Sequence, residues 1–336
     1  MQKLILFAVI SISFFFTACK KNENTPKTEI PADVYVSGYD ADTSLSYRDI
    51  PTVWNNGVPV RQSNYTNNTF ALSVAVSGND VYSTGYENGS IRLCKVWKNG
   101  TELYSFGDGE PMEGISIAVS GTDVHVAGHM YNPSLMKHYA VYFKNNNITL
   151  LTNGNNGAAA QGIAVLNNDV YICGYEGNEA RLWKNGIVIS LNNATDFKAN
   201  AVALISNDVY VLGNSQTALS KIRLWKNGIS TDITDGTSFT RGNAIAVTAT
   251  DVYIAGTEIS AGKAIAKVWK NGIATSLSDG IRSAYAKGIA IKGNDVYVAG
   301  DQNDTTGIFH YAMLWKNGIP TELGTKRSTA EGIAVK

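Results

Sequence analysis

The side chains best suited to holding a ligand recur at one place in a repeated phrase, directly after a glycine. They are Tyr39, Tyr86, His129 and Tyr175, followed by Asn214, Thr257 and Asp301. Carboxylates stand beside them at Asp40, Glu87 and Glu176, with Glu258 further along. An arc of aromatic and acidic side chains suits sugar rings, which stack on apolar faces and hydrogen-bond at their edges. The competing reading is that the tyrosines only extend packing between repeats. The expected ligand-binding set, for a glycan or a protein, is Tyr39, Asp40, Tyr86, Glu87, His129, Tyr175 and Glu176.

Other chemistry is sparse. His125 and His129 lie four apart on a strand, hence on one face, and His138 follows in a loop, so a metal site is conceivable. His125, however, fills a slot that is Tyr in the six other repeats, which points to a structural substitution and to no metal. Lys95, Arg181, Arg223 and Lys267 sit two residues before a repeated aromatic, where cations lie along rings or pair with nearby acids. There is no Gly-x-Ser-x-Gly elbow, no His-Glu-x-x-His and no phosphate loop, so no catalytic residue and no cofactor is assigned. Lys plus Arg equal Asp plus Glu at 28 each, which leaves no electrostatic case for nucleic acid.

The phrase that carries these residues fixes the architecture. Asp-Val-Tyr or a close variant opens at Asp33, Asp80, Asp123, Asp169, Asp208, Asp251 and Asp295, at intervals of 39 to 47 residues, within the range of propeller blades. Its partner is an aromatic at Trp54, Trp97, Phe143, Trp183, Trp225, Trp269 and Trp315, so every Trp belongs to the repeat and is read as packing. Each repeat holds four short apolar runs separated by turn signals, predicting four antiparallel strands, a to d.

Strand a reads small, any, small, Ile or Val, Ala, as in Ala160-Gln161-Gly162-Ile163-Ala164 and Gly242-Asn243-Ala244-Ile245-Ala246. Strict alternation would give it one thin face and one Ile/Val face, fitting it for the crowded axis of the ring. Strand b follows, with its Asp expected to serve the a-to-b hairpin locally. Strand c ends on the aromatic and turns at Lys-Asn-Gly, where Asn and Gly accept positive φ. Strand d is shortest and carries Pro59 and Pro320, which suits an outer edge. The chain enters at a strand b and ends on an extra strand a, Ala330 to Val335. The expectation is an all-β, seven-bladed β-propeller over residues 33–336, closed by the C-terminal strand pairing with the N-terminal repeat. Variable b-to-c and d-to-a loops share one face, where binding residues are expected.

Gly288-Ile289-Ala290, Leu314-Trp315-Lys316-Asn317-Gly318 and Glu322-Leu323-Gly324 resemble the extracellular HAF-type repeat family, which pairs an Ala-Ile-Asn type strand with a Leu-Trp, turn-Gly, Asp-Leu-Gly type segment. The likeness covers all seven repeats, although Asp-Val-Tyr replaces the family's more Gly-rich strand b. It implies an exported propeller. No Trp-Asp signature and no Gly-Gly pair links the chain to the WD or kelch types.

Residues 1–18 read as a signal peptide: Lys3, an apolar run from Leu4 to Phe16, then Thr17 and Ala18. Phe16-Thr17-Ala18-Cys19 resembles the lipobox of bacterial lipoproteins, which implies acylation of Cys19 and membrane attachment through it. Residues 19–32 are polar, with two prolines, and read as a tether. Lys20 after the lipidated cysteine implies, by resemblance to bacterial sorting rules, an outer-membrane lipoprotein of the cell envelope. Cys94 and Cys173 fall in non-neighbouring repeats and are read as buried thiols. The leading expectation is a monomeric, membrane-anchored, non-catalytic binding module. The alternatives are a glycoside hydrolase or lyase using Asp40, Glu87 or Glu176, and a scaffold subunit of an envelope complex.

Overall fold

The computed structural model describes residues 33–42, 48–63, 65–107 and 109–336. Residues 1–32, where a signal segment, an acylated Cys19 and a tether are expected, lie outside the described residues. Twenty-eight strands, β1 to β28 in chain order, form seven four-stranded antiparallel sheets arranged as a seven-bladed propeller. Blade 2 is representative: β4 (Thr69–Ser77), β5 (Asp80–Asn88), β6 (Arg92–Lys98) and β7 (Thr101–Phe106), running from the axis outward as strands a to d.

Blade 1 is assembled from both ends of the described chain. β28 (Thr329–Val335) pairs antiparallel with β1 (Val34–Asp42), with Val34 opposite Val335 and Tyr35 opposite Ala334, and β2 (Arg48–Asn55) and β3 (Val58–Arg61) complete the sheet. Closure on a strand shared between the termini covers the inner edge of β1, which would otherwise stand unpaired. Pro59 and Pro320 lie on the outermost strands, β3 and β27 (Ile319–Glu322), where a missing N–H breaks no ladder. The repeated aromatics fill the spaces between blades. Trp54, Trp97, Phe143, Trp183, Trp225, Trp269 and Trp315 are all buried.

Two expectations about local structure are corrected. Except at Asp251, whose carboxylate also accepts from Thr250 Oγ1 of its own turn at 3.2 Å, the Asp that opens strand b is held across the blade and not by its own hairpin. In blade 4, Asp169 accepts from Asn185 Nδ2 at 2.9 Å and pairs with Lys184 at 2.7 Å, both at the c-to-d turn. Asn185 Oδ1 in turn accepts from the Val170 N–H at 2.8 Å, and Lys184 lies 5.3 Å from the centre of the Tyr171 ring. The Asp–Asn link recurs at Asp80, Asp123, Asp208, Asp251 and Asp295, so one motif ties the inner and outer hairpins of a blade. The Asn must hold positive φ, as Asn99, Asn185 and Asn317 do at 50–51°. Blade 1 has Asn55 where the others have Lys, and Asp33 pairs instead with Lys292 of the neighbouring blade at 2.9 Å.

The second correction concerns strand a, which does not present a single thin face. In β12 (Ala158–Leu166), Ala160 pairs with Gly174 and Gly162 with the adjacent Cys173, leaving Gln161 outside the register. This β-bulge, two residues against one, reverses the alternation, so Ala160 falls on the same side as Ile163 and opposite Gly162. Small residues are still required where inner strands approach. A Cβ on Gly162 would come within 3.0 Å of the Ala201 Cα on the next blade. The following alanines, including Ala75, Ala164 and Ala334, are half-buried along the inner wall.

Candidate functional site

The bulge is a feature of all seven blades, and it makes the site. The residue expelled from register is Leu72, Ile115, Gln161, Asn200, Asn243, Lys287 or Glu331 in turn. All seven line a central cavity of about 260 Å³. The bulge has a partner requirement on strand b. At Gly85, Gly174, Gly256 and Gly300 an added Cβ would overlap the strand-a carbonyl opposite, that of Phe70, Ala159, Arg241 and Tyr285 respectively. The strand-b glycine therefore admits the bulge, and the bulge frees one side chain per blade from packing.

Around this waist the chemistry is uneven. Leu72 and Ile115 are apolar, Gln161, Asn200 and Asn243 are amides, and Lys287 and Glu331 are charged. Lys287 Nζ stands 2.8 Å from Glu331 Oε1 and 2.7 Å from Asp301 Oδ1. Burial opposes its charge, but the two carboxylates outweigh burial and hold its pKa above the ordinary lysine value. Asn243 Nδ2 donates to the Ala286 carbonyl at 2.8 Å, fixing one amide by the neighbouring blade.

One step outward, on the b-to-c and d-to-a face, lie the residues after the strand-b glycine and their strand-a neighbours. In blades 1 to 4 the structure brings Tyr39, Tyr86, His129 and Tyr175 to this mouth. Tyr39 meets Phe70 edge-on at 4.9 Å, and Phe70 meets Tyr86 at 5.0 Å. Arg92 covers Tyr86 at 4.7 Å and ion-pairs with Glu113, whose carboxylate also lies 3.7 Å from His129 Nε2. His138 packs edge-on against His129 at 4.8 Å, and Lys198 covers Tyr175 at 4.0 Å. All are half-buried except His138, which stands exposed, and burial raises the hydroxyl pKa of Tyr39, Tyr86 and Tyr175.

The neighbouring carboxylates do not join them, because successive strand residues point to opposite faces. Asp40 accepts from Thr325 Oγ1 at 2.6 Å. Glu87 is 4% exposed, accepts from the N–H groups of Thr66 at 2.7 Å and Asn67 at 3.0 Å, and pairs with Lys95 at 3.3 Å. Glu176 pairs with Arg181 at 3.3 Å. These acids hold loops and strand-c cations, as Glu258 holds Lys267 and Asp232 holds Arg223. The histidines do not converge either. His125 is buried, with Nδ1 2.7 Å from Tyr142 Oη; burial lowers the imidazole's pKa and raises that of the phenol to about 12. Among the described residues no group of three or more His, Cys, Asp or Glu side chains is placed to hold a metal ion. Cys94 and Cys173 are free and buried, and burial pushes the Cys94 thiol up to about 12.

Blades 5 to 7 contribute a part of the mouth that the repeat reading passed over. Phe239, Arg241, Asn243, Thr257, Ile259 and Tyr285 line a recess of about 430 Å³ whose inner wall is Lys287 and Glu331. A second recess of about 250 Å³ shares Phe239 and Arg241 and adds Lys198, Asn200 and Asn214. The signal was present in the sequence: the "any" slot between two small residues of strand a is the bulged residue, and the slot two before it supplies Lys198, Arg241 and Tyr285.

No family profile matches the chain, and comparison with curated protein sequences gives no match. Among solved structures it is similar to the β-propeller domain of the Trilobed protease from Pyrococcus furiosus, described as having an open velcro topology. That match has a TM-score of 0.57 at 10% identity and covers 87% of this chain and 95% of the other. It is also similar to Pyrococcus horikoshii acylaminoacyl peptidase, with a TM-score of 0.53 at 11% identity over 88% of this chain and 51% of the peptidase, about half its length. At such identities the likeness is one of fold.

Proposed function

We propose that this chain is an exported, lipid-anchored propeller that binds a glycan, without cleaving it, at the loop-face mouth of its channel. The observation that carries the reading is the convergence of its non-repeating chemistry. Nearly every other inner position repeats from blade to blade, whereas the bulged residue and the two mouth positions differ around the ring and surround one opening. Amides at Gln161, Asn200 and Asn243 both donate and accept, which matches vicinal hydroxyls, and the aromatics of the rim supply apolar faces. Polysaccharide cleavage has less support, because Glu113, Asp301 and Glu331 at the mouth are each held by a cation. Anchoring through acylated Cys19 rests on the lipobox resemblance.

The test is a glycan array probed with the ectodomain from residue 20 onward. Binding to at least one glycan class is expected, weakened tenfold or more by Asn243→Ala and by the triple change Tyr39→Ala, Tyr86→Ala, Tyr175→Ala. Retention of every bound glycan at unchanged affinity by both variants would overturn the reading.

A further inference from the structure

We infer that the two adjoining recesses at blades 5 to 7, which share Phe239 and Arg241, form a subsite for an acidic sugar residue, one bearing a carboxylate or sulfate, and that Arg241 and Lys198 receive its charge. This rests on the glycan reading and narrows it. Most other cations at or near the mouth have an acid: Arg92 has Glu113, Lys287 has Asp301 and Glu331, and Lys95 has Glu87 and Glu102. Arg241 has none and is exposed, and Lys198 has only the Tyr175 ring. Both stand on strand-a positions of adjacent blades and line one shared recess. With Lys287 balanced against two carboxylates, the three cations and two acids of this side leave it net positive.

The second observation is independent of charge. Thr257 pairs directly with Arg241, is 4% exposed, and its Oγ1 has no hydrogen-bond partner. A buried hydroxyl left unpaired costs free energy that a ligand hydroxyl or carboxylate would recover. The third is apolar. Phe239, Ile259 and Tyr285 line the same 430 Å³ recess yet are 36%, 37% and 36% exposed, leaving side-chain surface against which a pyranose ring can lie. A cation, an unpaired hydroxyl and apolar walls in one recess match a uronate or sulfated ring better than a neutral one.

The experiment presents the ectodomain with immobilised uronate and sulfated oligosaccharides, their methyl-esterified or desulfated counterparts, and polyglutamate. The wild type is expected to retain at least one acidic glycan tenfold or more over its neutral counterpart. Arg241→Gln should abolish that preference, and Phe239→Ala should weaken both forms. Equal retention of acidic and neutral forms, or a preference that survives Arg241→Gln and Lys198→Gln together, overturns the inference and leaves the glycan reading standing. Polyglutamate held as tightly as the best acidic glycan overturns the sugar assignment. Retention of no glycan overturns both.

Discussion

The two faces of the ring are built on opposite rules. On the turn face, Asp, Asn and, in most blades, Lys and Tyr repeat with nearly the same geometry, the Asp–Asn bond measuring 2.7 to 3.0 Å in blades 2 to 7. On the loop face the equivalent positions hold Tyr39, His129, Thr257 and Asp301, with partners that differ in every blade. Repetition serves stability, because each blade buries its surface only against its neighbours and a good clamp can be reused. Departure from repetition at one opening serves recognition, because a ligand meets all seven blades at once there and gains nothing from seven identical contacts.

If that division is right, changes to what repeats should damage the fold and changes to what varies should not. The largest effect is expected from deleting residues 329–336. That removes β28, strips blade 1 of its inner strand, and exposes β1 along the register from Val34 to Tyr39. Loss of the cooperative thermal transition is expected by circular dichroism, and a truncated chain that melts like the full one would contradict closure. Next is Gly174→Ala, whose new Cβ meets the backbone carbonyl of Ala159 rather than a movable side chain. Overpacking of this kind costs about 1–3 kcal/mol, and more where backbone must shift, measurable by urea unfolding. Asn185→Ala ranks third. It removes the acceptor for the Val170 N–H and puts Ala, which tolerates the left-handed region less well than Asn, at φ 51°, for an expected loss of about 1–2 kcal/mol, whereas Asn185→Gly should recover the backbone part.

The turn face should also carry an acid sensitivity. Hydrogen bonds from Lys and Asn hold Asp80, Asp123, Asp169 and Asp208 below the ordinary Asp value of 3.8, and Asn with Lys does the same for Asp251 and Asp295. A folded-state pKa below the unfolded one gives stability that is complete above the ordinary carboxylate range and lost as pH falls through it. Melting temperature is therefore expected to hold at neutral pH and to drop below about pH 4. The drop should shrink when several of these Asp are changed to Asn together.

How much of this could be read from the chain follows the same division. Blade number, strand order, closure by Ala330 to Val335 and the edge placement of Pro59 and Pro320 were legible, because each depends on spacing and on local rules that repeat. The bulge was not, since a strand read by strict alternation has no place for an extra residue, and the glycine that permits it, such as Gly174, is two strands' pairing away from any local signal. Missing the bulge hid the waist, and with it Gln161, Asn243 and Lys287. That Glu87 and Glu176 turn away from Tyr86 and Tyr175 was legible independently of the bulge, because simple alternation on the regular strand b places successive residues on opposite faces. The Asp clamp was misplaced for a related reason: its partner Asn is 16 to 22 residues distant, beyond the reach of hairpin chemistry.

The smallest expected effect is the most discriminating, because its sign is opposite to that on the turn face. Thr257→Val replaces a buried, unpaired hydroxyl with a methyl group of similar shape in a strand that favours β-branched residues. Nothing is lost in the unliganded protein except a desolvated dipole, so stability should stay level or rise by up to about 1 kcal/mol. Urea unfolding of Thr257→Val beside Asn185→Ala sharpens the contrast: the repeated polar group costs stability when removed, and the unrepeated one does not. A loss of 1 kcal/mol or more at Thr257 would mean that its hydroxyl already has a partner in the free protein, and the mouth would then be as fully satisfied, and as structural, as the clamps on the other face.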